Sequence, residues 1–140
     1  FEDFMLEMFA KYEIPVIKIC FEITENSAIS SISGTRDSLK RMPKKGFQFA
    51  LDDFGSSFYS YSYLRKLPVN CVKIDGSFIR GICTDPINFV IVQSITQVAA
   101  HTMGLSVVAG FVEDEQTLKK LKGIGIDYMQ GYHIHKPEPL

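Results

Sequence analysis

The sequence predicts an α/β fold in which about five parallel strands alternate with helices, as in an incomplete (β/α)8 TIM-barrel-like fold. Short apolar, β-branched segments alternate along the chain with longer segments at helical spacing, a pattern typical of βαβ units and a parallel sheet. The chain has 140 residues, whereas a closed barrel needs about 200 or more. An open doubly wound sheet fits the same pattern, so both architectures remain open at this point.

The predicted strands are short runs enriched in valine, isoleucine and phenylalanine. They cover residues 16–23, 47–51, 71–74, 105–109 and 127–130. Pro15 comes directly before the first strand, and the adjacent acids Asp52 and Asp53 end the second. Such runs, bounded by turn-forming or polar residues, favour strands that are buried on both faces.

The predicted helices occupy the segments between these strands. They cover residues 1–12, 27–44, 59–67, 85–101 and 113–122. Asp85 followed by Pro86 is typical of a helix N-terminus, and Gly104 ends the same segment. No linker divides the chain, so we expect one domain over residues 1–140. Because the chain begins inside a helix-like pattern, we also expect that an upstream part of this domain is missing.

Composition and charge exclude several classes of protein. The formal net charge is −1, with 15 basic and 16 acidic residues, so the basic excess of a polynucleotide-binding protein is absent. No apolar run approaches the ~20 residues of a membrane span, so we expect no membrane segment in the chain. The three cysteines form no CxxC pair and are expected to be small hydrophobic residues of an intracellular protein. A small phosphorylated ligand remains compatible with the sequence.

Polar residues follow most of the predicted strands at their carboxyl ends, where parallel α/β folds bind their ligands. They are Glu22, Glu25, Asp52, Asp53, Lys73, Asp75, Glu113 and Gln130. Three carboxylates and a lysine brought together would suit divalent cations and a phosphate group. Oxygen ligands favour magnesium, manganese or calcium over zinc. Two such ions can stabilise the attacking and leaving oxygens of a phosphoryl displacement, with the lysine stabilising charge.

Structural readings of the same residues are also open. Glu22 and Glu25 could prepare a helix N-terminus, and the Asp52-Asp53 pair could form a polar turn after a strand. Lys73 is harder to explain structurally, because burying an unpaired lysine inside a parallel strand is costly. His133 and His135 could bind a metal together, although histidines on an exposed chain end are the commoner case.

Four ordered segments resemble the EAL domain family. Residues 21–26 (FEITEN) resemble its E-x-T-E segment, and residues 51–79 resemble its D-D-F-G loop and K-I-D strand. Residues 107–121 and 128–140 resemble its A-E-G/F-V-E segment and its terminal Q-G-Y…K-P segment. The order and spacing of the four segments, which span nearly the whole chain, carry the resemblance. The segment that names the family, Glu-Ala-Leu, lies further upstream and is not in this sequence.

The resemblance implies a cyclic di-GMP phosphodiesterase that forms linear pGpG inside a (β/α)8-like barrel, with magnesium or manganese and with calcium as an inhibitory substitute. It implies a bacterial cytoplasmic protein, tethered through other domains in some members, and a homodimer. The residues that match the family's metal ligands are Glu22, Asp52 and Asp53. The residues that match its other site positions are Lys73 and Asp53 as catalytic groups, Glu25 as the loop anchor, and Asp75 and Gln130 as substrate-site lining.

Three departures from the family pattern lead us to expect weak or absent activity. Gly110 stands where the family carries a glutamate, and the upstream glutamate and asparagine ligands are absent. Ser57 and Tyr59 replace a glycine and a small hydroxyl residue in the loop after Asp53, and glycine positions are not freely exchangeable. A degenerate module that senses cyclic di-GMP or contacts another protein is the alternative. A partial barrel also leaves strand edges and, we expect, an apolar face uncovered, which favours dimerisation.

Overall fold

A single parallel sheet of five strands organises the protein. The structure, a computed structural model, describes residues 2–30, 41–56 and 60–139. The strands lie in chain order across the sheet: β1 Cys20–Thr24, β2 Gln48–Phe54, β3 Cys71–Ile74, β4 Ser106–Ala109 and β5 Tyr128–Met129. All four pairings are parallel. The predicted fold class, about five parallel strands alternating with helices, is confirmed.

One helix precedes the first strand, and the others lie between successive strands. They are α1 Glu2–Lys11, α2 Glu25–Ser30, α3 Ser60–Leu64, α4 Gly76–Arg80, α5 Pro86–Thr96 and α6 Glu115–Ile124, with 3-10 turns at Val16–Lys18 and Met42–Lys45 and a π-helical segment at Gln97–Thr102. The side chain of Asp85 accepts a hydrogen bond from the backbone N–H of Ile87, as the predicted helix start requires. The short helix α4 was not predicted, because its five residues are too few to show a period.

One face of the sheet carries the core. Side chains alternate between the two faces of a strand, so Leu51, Val72 and Val107 point to the same side. Each of them is 0% exposed. The helices cover this face and complete the cluster with residues such as Ile79 and Leu121. Burial of this apolar surface provides most of the favourable free energy of folding.

The opposite face of the sheet is more open and carries polar residues together with small and apolar ones. Register places Glu22, Ala50, Cys71 and Ser106 in one row across the first four strands of this face. Glu22 is exposed, and Cys71 and Ser106 are half-buried. Ala50, Cys71 and Val108 lie on this face as well, so the expectation of an uncovered apolar face stays a prediction.

The first strand begins later than its sequence indicates. Residues 16–23 read as a strand, but Val16–Lys18 form a 3-10 turn in which the N–H of Lys18 donates to the carbonyl of Pro15 at 2.9 Å. Cys20 is paired with Gln48, the first residue of β2. Residues before Cys20 therefore have no partner strand to continue the ladder, and their backbone forms local hydrogen bonds instead.

We predict that Leu51→Ala lowers the free energy of unfolding by about 2–5 kcal/mol, because the lost methyl groups leave a cavity in a packed core. Ile87→Ala is the control, since Ile87 is 67% exposed on α5 and should change stability by less than about 0.5 kcal/mol. Urea unfolding followed by circular dichroism measures both. An equal loss in the two variants would contradict the assignment of the helix-covered face as the core.

Candidate functional site

The adjacent acids Asp52 and Asp53 lie in a bulge of β2. Leu51 pairs with Val72 and Phe54 pairs with Ile74, so three steps along β2 oppose two along β3. The extra residue is accommodated by Asp53, whose φ of 56° is left-handed, a conformation that aspartate tolerates better than most residues. The bulge lets two consecutive side chains reach one cavity, which a regular strand would not allow. It also extends the strand to Phe54, three residues past the predicted end.

Lys73 connects the first three strands through its ammonium group. Its Nζ lies 2.7 Å from Oε1 of Glu22 and 3.9 Å from Oδ1 of Asp52. Glu22 is on β1 and Lys73 on β3, so the ion pair crosses β2. Ala50, the β2 residue paired with Glu22, presents only a methyl group on this face and leaves room for the lysine. An unpaired ammonium group would be costly to bury within a parallel strand, and these carboxylates provide its partners.

The pKa values of Lys73 and Asp53 are both raised by their surroundings. Burial by itself would lower the pKa of Lys73, but the hydrogen bond to Glu22 and the charge of Asp52 outweigh it, so the pKa is raised and the ammonium is stabilised. The pKa of Asp53 is raised by desolvation and then by the negative charges of Asp52 and Asp75, with Lys73 opposing. Asp53 thus lies in a locally negative field that an added cation would relieve.

Glu25 is a buried carboxylate that two hydroxyl donors from beyond the acid pair satisfy. Its residue is 0% exposed, and its carboxylate accepts hydrogen bonds from the hydroxyl of Ser56, at 3.1 Å, and from the hydroxyl of Tyr63. The two donors lie on either side of residues 57–59. Ser57 and Tyr59, singled out from the sequence, lie outside the described residues. A buried carboxylate needs such donors, and the loop-anchoring role of Glu25 stays a prediction.

Asp75 and Gln130 lie at strand ends with different local roles. The carboxylate of Asp75 accepts from the backbone N–H of Ser77 at 2.8 Å and caps helix α4. The backbone of Gln130 donates to the carbonyl of Ala109 at 2.9 Å and continues the ladder beyond β5. Its side chain borders the cavity described next. The lining role predicted for both residues stays a prediction.

A cavity of about 400 Å³ opens at the carboxyl edge of the sheet, a size typical of small-ligand sites. Its lining comprises Asp52, Asp53, Lys73, Ile74, Gly76, Arg80, Gly110, Phe111, Glu113, Gln130, Gly131 and Tyr132. Five of the residues singled out from the sequence therefore border one space, together with Glu113. Glu22 joins them through its ion pair with Lys73.

Gly110 has room for a side chain. A Cβ built on it would meet only Cγ of Gln130, at 4.0 Å, and the backbone has no left-handed φ. The glycine is thus not required by the local backbone. A glutamate at this position would be accommodated at the wall of the cavity and would add a carboxylate to its lining.

The donor atoms of this site suit a hard divalent cation, but they do not form a finished cage. Glu22, Asp52 and Asp53 offer carboxylate oxygens, which magnesium and manganese accept. Within residues 2–30, 41–56 and 60–139, no three His, Cys, Asp or Glu side chains are grouped as a metal cluster. The ammonium of Lys73 instead neutralises Glu22 and Asp52. The residues offer the oxygen donors that such a cation prefers, and their role as its ligands stays a prediction.

The two C-terminal histidines are directed to separate partners. Nε2 of His133 lies 2.9 Å from Glu115, whereas Nε2 of His135 lies 3.3 Å from Glu138. Neither contact involves the acid pair or Lys73. A joint metal site at these histidines is therefore not what the geometry shows.

Three residues around the site were not predicted from the sequence to belong to it. The hydroxyl of Tyr63 reaches the carboxylate of Glu25 across a long stretch of chain. Phe111 and Arg80 border the cavity and stack on each other, with the guanidinium carbon 3.9 Å from the ring centroid. Phe111 stands at the third position of the A-E-G/F-V-E segment, where the resemblance covers both glycine and phenylalanine, so no exchange marked it in the sequence.

Known proteins share both the sequence and the geometry. A sequence model of the EAL domain family matches residues 1–137. The chain is 46% identical over 140 residues to cyclic di-GMP phosphodiesterase PdeB of Shewanella oneidensis. It is 41% identical over 140 residues to cyclic di-GMP phosphodiesterase PdeA of Borreliella burgdorferi. The alignments cover 97% and 100% of this chain but only 16% and 21% of those proteins, so the chain spans about a fifth of their length or less.

Solved structures of EAL domains superpose on the sheet and its helices. The PaMucR phosphodiesterase in complex with cyclic di-GMP matches with a TM-score of 0.90 and 28% identity over 98% of this chain and 55% of that one. Klebsiella pneumoniae BlrP1 in its manganese and cyclic di-GMP complex matches with a TM-score of 0.86 and 25% identity, over 93% of this chain and 33% of that one. The five-stranded sheet corresponds to part of the TIM-barrel-like fold of these domains. The chain belongs to the EAL domain family.

Proposed function

We propose that the chain carries part of the site of a cyclic di-GMP phosphodiesterase and is the C-terminal portion of a single EAL domain. The observation that supports this most is the contact of Lys73 with Glu22 and Asp52, at 2.7 and 3.9 Å, beside an open cavity. Both curated relatives described above are named as cyclic di-GMP phosphodiesterases. Cyclic di-GMP is a small molecule with two negatively charged phosphodiester groups. A cavity lined by the cationic side chains of Lys73 and Arg80 suits such a ligand.

In this proposal Glu22, Asp52 and Asp53 hold magnesium or manganese. Two such ions, when bound, would polarise the phosphodiester and stabilise the attacking and leaving oxygens. Lys73 is placed to donate to a phosphate oxygen and to stabilise the charge that develops there. Asp53 orients water at the bulge, and Glu25 keeps the following loop in position through Ser56. Calcium, with longer bonds to oxygen, would occupy the same carboxylates without supporting turnover.

The proposal includes a low activity for this chain. Gly110 provides no carboxylate at a wall of the cavity where one would fit. The donor set within the described residues falls short of a metal cluster, so the affinity for the cation is expected to be weak. A bacterial cytoplasmic location is part of the same proposal; in the described part of the chain, no helix combines the length and apolar character needed to cross a membrane.

We predict that the chain forms little linear pGpG from cyclic di-GMP and manganese, and that Gly110→Glu raises turnover on the order of 10-fold or more when the upstream part of the domain is present. The expected gain follows from a restored carboxylate that can act on water or metal. Chromatographic separation of cyclic and linear dinucleotide measures it.

Gly123→Glu is the matched control for this substitution. A side chain at Gly123 would meet no atom within 4 Å, and the residue lies on α6 away from the cavity lining. The same gain in both variants would show that added negative charge, rather than its position, is responsible. Full turnover by the unaltered chain would refute the proposed loss at Gly110.

A degenerate binding module is the second candidate, favoured by the loss of one carboxylate at Gly110 while the cavity and Lys73 are retained. We predict in that case that cyclic di-GMP binds in the presence of calcium with a measurable heat and is recovered unhydrolysed with manganese. Calorimetry followed by chromatography of the same sample measures both. Hydrolysis at a rate comparable to that of an intact EAL phosphodiesterase would exclude the sensor.

We also propose that the chain forms a homodimer. Within the described residues, β1 and β5 each pair with one neighbour only, so both edges of the sheet offer unpaired backbone groups. We predict a mass close to twice 15.8 kDa in light scattering at micromolar concentration. A single monomeric species that unfolds cooperatively would contradict this.

A further inference from the structure

The backbone at Phe111 adopts a conformation that its side chain disfavours. Its φ is 56°, in the left-handed region, where phenylalanine is rarely found and glycine is at no disadvantage. The residue lies between Gly110 and the fully buried Val112, just after β4. Strained positions of this kind persist where the surrounding structure requires them, and they concentrate at ligand sites.

The ring of Phe111 lies over the start of helix α4. A Cβ built on Gly76 would be 2.3 Å from Cδ2 of the ring and 2.5 Å from Cε2. No side chain larger than hydrogen therefore fits at position 76 while the ring occupies this place. The glycine after Asp75 and the phenylalanine after Gly110 form a matched pair, which fixes where the ring lies.

The ring is held in the cavity rather than in the core. Phe111 is 47% exposed, and one of its faces carries the guanidinium of Arg80, 3.9 Å from the centroid. Both residues line the cavity that also contains Lys73 and Asp52. An exposed aromatic side chain on an unfavourable backbone gains little from burial, so packing alone does not account for it.

We propose that Phe111 and Arg80 together form a stacking platform for a guanine base of the bound cyclic dinucleotide. This inference rests on the proposed function and assigns to it a residue that determines how the base is held. Nucleic acid bases stack on aromatic rings and on guanidinium planes, and an adjacent cation strengthens the interaction. The base would lie on the platform while Lys73 and the acid pair face the phosphodiester.

Phe111→Leu tests the platform, because leucine keeps apolar bulk but cannot stack. Loss of one base–aromatic contact is worth about 1–3 kcal/mol, so we expect the Kd for cyclic di-GMP with calcium to rise about 5- to 150-fold. Phe111→Tyr should bind within about threefold of the unaltered chain, since the ring is retained. Phe89→Leu is the matched control: Phe89 carries Lys120 at 4.9 Å but lies outside the cavity lining, and its loss should leave the Kd unchanged.

Phe111→Gly separates binding from folding. Glycine removes the backbone strain, so the melting temperature should be unchanged or higher, whereas the affinity should fall as in Phe111→Leu. Equal affinity of the unaltered chain, Phe111→Leu and Phe111→Gly would overturn the platform and leave the proposed function standing. Absence of cyclic di-GMP binding by the unaltered chain would overturn the proposed function itself, and the platform with it, before any variant is compared.

Discussion

The ion pair between Lys73 and Glu22 is the contact on which the site depends. It joins β3 to β1 across an intervening strand, and it places a positive charge beside the acid pair that would otherwise repel itself. A lysine in this row would be costly without its carboxylates, and the carboxylates would be costly together without the lysine. The open face of the sheet is therefore organised by charge, whereas the covered face is organised by apolar packing.

The same sheet shows which parts of the structure are readable from the sequence. Strands β3 and β4 follow the sequence closely, because their fully buried apolar residues alternate with partly buried ones in segments with a strand on both sides. The strand predicted over residues 16–19 does not form, because a ladder needs a partner strand and β2 begins only at Gln48. Helix α4 is too short to show a period, and the bulge at Asp53 leaves no sequence pattern apart from two adjacent acids.

The sequence predicted which residues lie at the candidate site better than it predicted the contacts between them. Strand-end positions and family resemblance selected Asp52, Asp53 and Lys73, which border one cavity. The hydroxyl of Tyr63 donates a hydrogen bond to the carboxylate of Glu25, a residue distant along the chain. No local sequence pattern indicates such a pair. The stack of Arg80 on Phe111 was hidden for the same reason, since it depends on the absence of a side chain at Gly76.

The bulge in β2 has a mechanical consequence for the acid pair. Leu51 before it and Phe54 after it are both 0% exposed and belong to the apolar cluster. The two aspartates therefore lie in a short bulged segment that is held in the core at both ends. The positions of the carboxylates are thereby determined by hydrophobic packing on the far side of the sheet and need no bound ligand to define them. Substitutions in the cavity wall, for example at Gly110 or Phe111, can then alter the chemistry without displacing this bulged segment.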